Sequence, residues 1–179
     1  VEPDMAMFGK ALGNGYAITA VIGRREIMEA AQSTFISSTF WGERIGPTAA
    51  LKTLEVMAKE RSWERINTTG KEVARQWLRM TKKHGLRIKV FGLPALAGFA
   101  FEDPNHATYK TLFGQEMLKK GFLASTAFYA SCAHSPGILR PYVTALDQVF
   151  AVISRCEEGL DPRAILDGPV VSEGFKRLN

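Results

Sequence analysis

The chain has 179 residues, 46% of them hydrophobic and 23% charged. That is the balance of a soluble globular protein of one to one and a half domains, which excludes long disorder, collagen and a coiled coil. The most apolar window, Val90 to Phe101, runs for 12 residues and is broken by Gly92, Pro94 and Gly98, whereas a membrane span needs about 18 or more. No signal peptide is visible, so a cytoplasmic location and no membrane partner are expected. A chain of this size buries about 70% of its unfolded surface and needs no covalent staple.

Val1 to about Lys59 reads as a Gly-rich loop, a strand and two helices. Tyr16 to Gly23 is an apolar run with β-branched Ile18, Thr19, Val21 and Ile22, the pattern of a strand buried on both faces. Arg25 to Gln32 is a short helix. Arg44 to Lys59 is a longer one, with Leu51, Leu54, Met57 and Ala58 at helical spacing and Pro47 in the first turn.

Ser62 is a candidate N-cap for the next helix. Its apolar stripe is Ile66, Val73, Trp77 and Met80/Thr81, and Gly85 ends it. Leu86 to Val90 alternates as a half-exposed strand does, and Gly92-Leu93-Pro94 turns the chain into a second strand, Leu96 to Glu102. Tyr109, Leu112, Phe113 and Met117 mark a helix stopped at Gly121, and Phe122 to Ser131 is extended. Ser135-Pro136 starts the last long helix, with the stripe Tyr142, Leu146, Val149, Phe150, Ile153 and Cys156, and Asp161 to Asn179 is a tail. Trp63 and Trp77 are expected to pack in the core, and Cys132 to be a buried small hydrophobe. The second half is an α+β unit; the first has one convincing strand and is not expected to fold by itself.

The net charge is +5, and the surplus is local: Lys59 to Lys89 holds ten Lys and Arg against three Glu. Lys71, Arg75, Arg79 and Lys82 share one helical face. Without interleaved aromatics to stack bases, this face reads as the solvated back of an amphipathic helix, with no nucleic-acid partner expected. Cys132 and Cys156 make no C-x-x-C, and His84, His106 and His134 are too scattered for H-E-x-x-H, so no metal site is expected.

Gly13-Asn14-Gly15 lacks the third glycine of a dinucleotide fingerprint, and neither a phosphate-binding G-x-x-x-x-G-K-[ST] nor a nucleophilic G-x-S-x-G is present. What remains is Phe8-Gly9-Lys10-Ala11-Leu12-Gly13-Asn14-Gly15-Tyr16. A lysine in this uncharged stretch would be partly desolvated, which makes an amine more nucleophilic towards carbonyls. The glycines let the backbone approach a flat ligand. The plain alternative is a surface-loop lysine. The second candidate is Ser37-Ser38-Thr39-Phe40-Trp41-Gly42, ahead of the helix at Arg44. Hydroxyls and N–H groups before a helix suit a phosphate; ordinary capping by Ser or Thr is the alternative.

Together the stretches resemble a family. Pro3-Asp4, then Phe8-Gly9-Lys10 and the glycines before a strand, is similar to the lysine segment of class III pyridoxal-phosphate aminotransferases. Ser38-Thr39-Phe40-Trp41-Gly42-Glu43 falls where that family has a phosphate-binding threonine. Phe128 to His134 and the ending Gly174 to Leu178 resemble the glutamate-1-semialdehyde aminomutase branch.

The resemblance implies a fold-type I α/β transferase, with residues 1–60 as the end of the large cofactor domain and residues 61–179 as the small α+β domain. It implies that Lys10 forms a Schiff base with pyridoxal 5'-phosphate and then serves as general acid/base in amino transfer between a small-molecule amino donor and a carbonyl acceptor. Thr39, with Ser38, would bind the cofactor phosphate across the interface of a homodimer, and His134 would be structural. The family's aspartate for the pyridine nitrogen, its main phosphate loop and its ring-stacking aromatic would all precede Val1. The chain is therefore expected to be the C-terminal portion of an enzyme more than twice as long and inactive alone, binding cofactor weakly or not at all. A non-catalytic dimerisation or interaction module with the same fold is the alternative. Glu43 stands where the aminomutases carry an asparagine, and Arg140-Pro141 is only an echo of the R-x-x-P-P-L segment of many class III ω-transaminases.

Overall fold

A computed structural model describes residues 2–172; the Gly174 to Leu178 ending lies outside the described residues. The chain divides into two compact units, one ending at Ser62 and the other beginning at Trp63.

In the N-terminal unit, β1 (Met5–Phe8) pairs antiparallel with β2 (Ala20–Gly23), Met5 opposite Gly23 and Phe8 opposite Ala20. The Arg24 N–H donates to the Asp4 carbonyl (3.0 Å), and the Arg24 guanidinium lies 3.1 Å from the Asp4 carboxylate. Between the strands, Lys10–Leu12 form a 3-10 turn. α1 (Arg25–Met28) runs into a second 3-10 turn, Glu29–Ser33, and α2 (Ile45–Glu60) follows an irregular stretch. The sequence reading of Tyr16 to Gly23 is corrected here. The strand starts only at Ala20, and Val21 and Ile22 are exposed. Burial on both faces needs a layer on each side, and this unit holds a single two-stranded sheet. The lysine segment's own Met5–Phe8, read as loop, is the partner strand.

The C-terminal unit is a three-stranded antiparallel sheet in the order β3-β4-β5 with helices on one face. α3 (Ser62–Lys83) leads to β3 (Ile88–Leu93) and β4 (Leu96–Phe101), paired as a hairpin with Leu93 opposite Leu96. α4 (His106–Lys119), β5 (Ala127–Tyr129) and α5 (Pro136–Glu157) complete it. Phe99 on β4 is its centre, with ring centroids of Trp77, Phe113 and Phe150 at 4.9, 5.4 and 6.0 Å. The Trp77 indole N–H donates to the buried Tyr142 hydroxyl at 2.8 Å. The expected stripes of α4 and α5 are buried throughout. Gly70 on α3 is buried because a Cβ there would lie 1.6 Å from the Pro94 carbonyl oxygen, so no side chain fits under the hairpin.

Four further expectations change. Ser62 caps nothing: its hydroxyl is buried without a hydrogen-bond partner. Trp63 is exposed and Cys132 only half-buried. The tail does not trail free: Gln115 on α4 donates to the Ile165 carbonyl and accepts from the Asp167 N–H, and Thr111 accepts from the Val171 N–H. Among the described residues, no helix is long and apolar enough to cross a membrane.

Candidate functional site

Lys10 opens the turn between β1 and β2 at φ 49°, in the left-handed region that a side chain disfavours. The turn is tight. The Leu12 N–H donates to the Gly9 carbonyl at 3.0 Å, and the Tyr16 N–H to the Gly13 carbonyl at 3.1 Å. A Cβ at Gly13 would lie 2.0 Å from the Tyr16 carbonyl oxygen, so only glycine fits there. The turn therefore holds Lys10 in a strained backbone state and leaves it exposed. The sequence reading expected partial desolvation; that is corrected, because no element of this unit covers the lysine. Among the described residues Lys10 makes no ion pair.

Ser38 and Thr39 lie in the irregular stretch before α2 and are also exposed. The Ser38 hydroxyl accepts from the Phe40 N–H at 3.2 Å, which leaves its own O–H to donate outward. The Thr39 hydroxyl makes no hydrogen bond to another described residue. Neither hydroxyl caps α2. That role falls to Glu43, whose carboxylate accepts from the Ile45 N–H and, at 3.0 Å, from the Gly46 N–H. Two of the N–H groups that were expected to favour a phosphate at this helix start are thereby taken.

The two candidate segments meet the same helix. A Cβ on Gly46, in the first turn of α2, would lie 2.7 Å from the Ala17 carbonyl oxygen and 3.2 Å from Ile18, the residues that follow the lysine turn. No hydrogen bond or ion pair joins Lys10 to Ser38 or Thr39 among the described residues. The amine and the two hydroxyls form a donor set that suits an aldehyde bearing a phosphate: a nucleophile for the carbonyl carbon and O–H donors for the anion.

Phe128 to His134 belongs to the C-terminal unit, as the end of β5 and the turn into α5. The His134 Nδ1 accepts from the Ser131 N–H at 3.0 Å, and its ring lies 4.7 Å from that of Phe128. These contacts suit the structural role expected for it. The sequence marks Glu43 only as a departure from the aminomutases; its capping role is missed, and the signal for it is a position just ahead of a helix.

The family description "Aminotransferase class-III" matches residues 1–153. The chain is 33% identical over 113 residues to a 3-aminobutyryl-CoA aminotransferase of Cloacimonas acidaminovorans, covering 63% of this chain and 27% of that protein. It is 28% identical to a glutamate-1-semialdehyde 2,1-aminomutase of Methanocaldococcus jannaschii, covering 84% of this chain and 39% of that one. The solved FumI protein of Sphingopyxis sp. MTA144, in its pyridoxal-phosphate internal aldimine form, superposes with a TM-score of 0.81 at 24% identity over 92% of this chain and 40% of that chain. The chain thus spans about 27–39% of the length of these two relatives, and its fold is part of the mixed α/β fold of pyridoxal-phosphate transaminases. By the extent of the family match, the chain belongs to the class III aminotransferases.

Proposed function

We propose that this chain is the C-terminal portion of a pyridoxal-phosphate-dependent enzyme that transfers an amino group, with residues 1–60 closing the large cofactor domain and residues 61–179 forming the small domain. Lys10 Nζ would hold the cofactor's aldehyde carbon covalently. Once an incoming amine releases it, the same nitrogen would move a proton at the substrate carbon that bears the amino group. The Ser38 and Thr39 hydroxyls would donate to the phosphate. The cofactor, when bound, supplies the electron-accepting ring that makes loss of that proton feasible. Relatives named as aminotransferase and as aminomutase leave the reaction at amino transfer, between two molecules or within one.

The observation that carries the reading is Lys10 itself: a lysine held at a left-handed φ in a glycine-built turn, inside the region matched by the family. Backbone of this kind occurs in turns and at functional sites alike, and it is the family match to the lysine segment that singles Lys10 out from Asn14 and Arg61, which share it. In a homodimer Thr39 would serve the partner's lysine, and Phe40 and Trp41, exposed beside Thr39, would be covered there.

The test is reduction of the full-length enzyme with borohydride in the presence of pyridoxal phosphate, followed by peptide mapping. Lys10 should carry the adduct at cofactor concentrations that leave the other lysines unlabelled, and the Lys10→Ala chain should carry none above background. Labelling spread evenly over the exposed lysines would refute the assignment. The chain alone should bind cofactor weakly and transfer no amino group, since the residues described here supply no carboxylate assigned to the pyridine nitrogen.

A further inference from the structure

We infer that Glu43 is a positioning residue for the phosphate-binding turn: its carboxylate clamps that turn to α2, and its charge holds down affinity for the phosphate. The inference rests on the cofactor reading above.

A chain of hydrogen bonds links Thr39's neighbours to the helix. The Phe40 N–H donates to the Ser38 hydroxyl at 3.2 Å, and the Glu43 N–H donates to the Phe40 carbonyl at 3.1 Å. The Glu43 carboxylate then takes the N–H groups of Ile45 and Gly46. Thr39 sits inside this ladder, so its position follows from where Glu43 holds the turn.

The same contacts close the helix start. A helix leaves its first four N–H groups without intrahelical partners. In α2 these positions are the N-cap Arg44, Ile45, Gly46 and Pro47: Ile45 and Gly46 donate to Glu43, Pro47 has no N–H, and the Thr48 N–H already makes the first intrahelical bond, to the Arg44 carbonyl at 3.0 Å. Among the described residues, the Arg44 N–H at the N-cap is the one donor of this helix start left without an acceptor. A phosphate held by Ser38 and Thr39 could therefore gain at most that one N–H from this helix start, and it lies within a few residues of a fixed carboxylate. The first turn of α2 holds no other acidic residue, and Arg44 at the N-cap makes no side-chain cap, so the clamp rests on Glu43 alone.

Charge and clamp can be separated by substitution. Glu43→Gln keeps an acceptor of the same length and removes the charge; Glu43→Ala removes both. Amide exchange at Ile45 and Gly46, measured without cofactor, should be faster at both in Glu43→Ala and restored at only one of the two in Glu43→Gln, because the amide offers one oxygen where the carboxylate offers two. The pyridoxal-phosphate concentration that half-saturates borohydride labelling of Lys10 should fall about two- to fivefold in Glu43→Gln, the size of one charge at a helix terminus. It should rise in Glu43→Ala. Pyridoxal, which lacks the phosphate, should label wild type and Glu43→Gln alike. A merely structural glutamate would not tighten binding when neutralised. Equal phosphate-cofactor affinity in all three chains would overturn the role of Glu43, as would the same shift for pyridoxal. No selective Lys10 labelling in any chain, with exchange responding as expected, would instead overturn the cofactor reading and this inference with it.

Discussion

Gly46→Ala tests the contact that brings the two candidate segments onto one helix. Two effects of opposite sign compete. Replacing a helical glycine by alanine gains about 0.5–1 kcal/mol in backbone entropy. Against this, the new Cβ would sit 2.7 Å from the Ala17 carbonyl oxygen and 3.2 Å from Ile18. Both fall inside the roughly 3.5–4 Å at which carbon contacts are attractive. The nearer obstacle is backbone, which no rotamer change relieves. Overpacking of this kind costs about 1–3 kcal/mol, so a net loss of about 1–2 kcal/mol is expected. Amides in the middle of α2 should then exchange about 5–30 times faster. Amides of α5, in the other unit, serve as the internal reference and should not change. Selective labelling of Lys10 should weaken as well, because Ala17 and Ile18 follow directly from its turn. Slower exchange across α2 in Gly46→Ala would mean that helix propensity wins and that the close approach is not made.

Two further outcomes concern the C-terminal unit. Trp77→Phe should cost about 1–3 kcal/mol in urea unfolding, because it leaves the buried Tyr142 hydroxyl, whose burial pushes its pKa up to about 12, without its indole donor; adding Tyr142→Phe should cost less than the sum of the singles, and strict additivity would deny the pairing. Asp147 accepts from Lys83 and contacts His84 Nε2 at 2.6 Å, and these partners hold its carboxyl below its ordinary 3.8, so its contribution is present above that value and is lost as pH falls through the lowered one; Asp147→Asn should flatten this acid limb of a thermal-unfolding profile.

The C-terminal unit is legible in the sequence because its elements carry their own instructions. The α5 stripe from Tyr142 to Cys156 faces the core at every position, and Gly121 ends the α4 segment with φ 84°. Alternation from Leu86 and the glycine-proline turn located the hairpin, although β3 runs on to Leu93. Gly70 was invisible, since the Pro94 carbonyl that forbids a side chain there lies far along the chain. In the N-terminal unit the pattern misled. The Tyr16–Gly23 run reads as a strand between two layers, and the unit provides neither. Lys10 could be singled out from its uncharged, glycine-rich context, but its backbone strain could not, because the left-handed φ is imposed by the turn and not by the residue. The cap of α2 was missed for a definite reason. Capping rules place Ser, Thr, Asp or Asn at the N-cap, or Glu at the third helical position. Here a glutamate two residues ahead of the helix folds forward onto it.

The exposure of Lys10 bears directly on the proposed chemistry. Proton transfer at a carbon is protected from water when the site closes, and a lysine open to solvent in this unit cannot provide that closure by itself. The surrounding apolar residues point the same way. Met7, Phe35, Phe40 and Trp41 are 80%, 95%, 74% and 70% exposed, while Gly13, Gly46 and Ala50 are small residues buried at the turn and along α2. A unit that buries glycines and exposes aromatics is built to be covered. In the proposed homodimer, covering Phe40 and Trp41 would carry Thr39 towards the partner's Lys10, so the burial that removes water would also deliver the proposed phosphate ligand. Glu43 would belong to the same step: the turn it clamps is the one that would cross, and a clamped turn would arrive with its hydroxyls already placed, sparing the entropy of ordering a loose loop at the moment of binding.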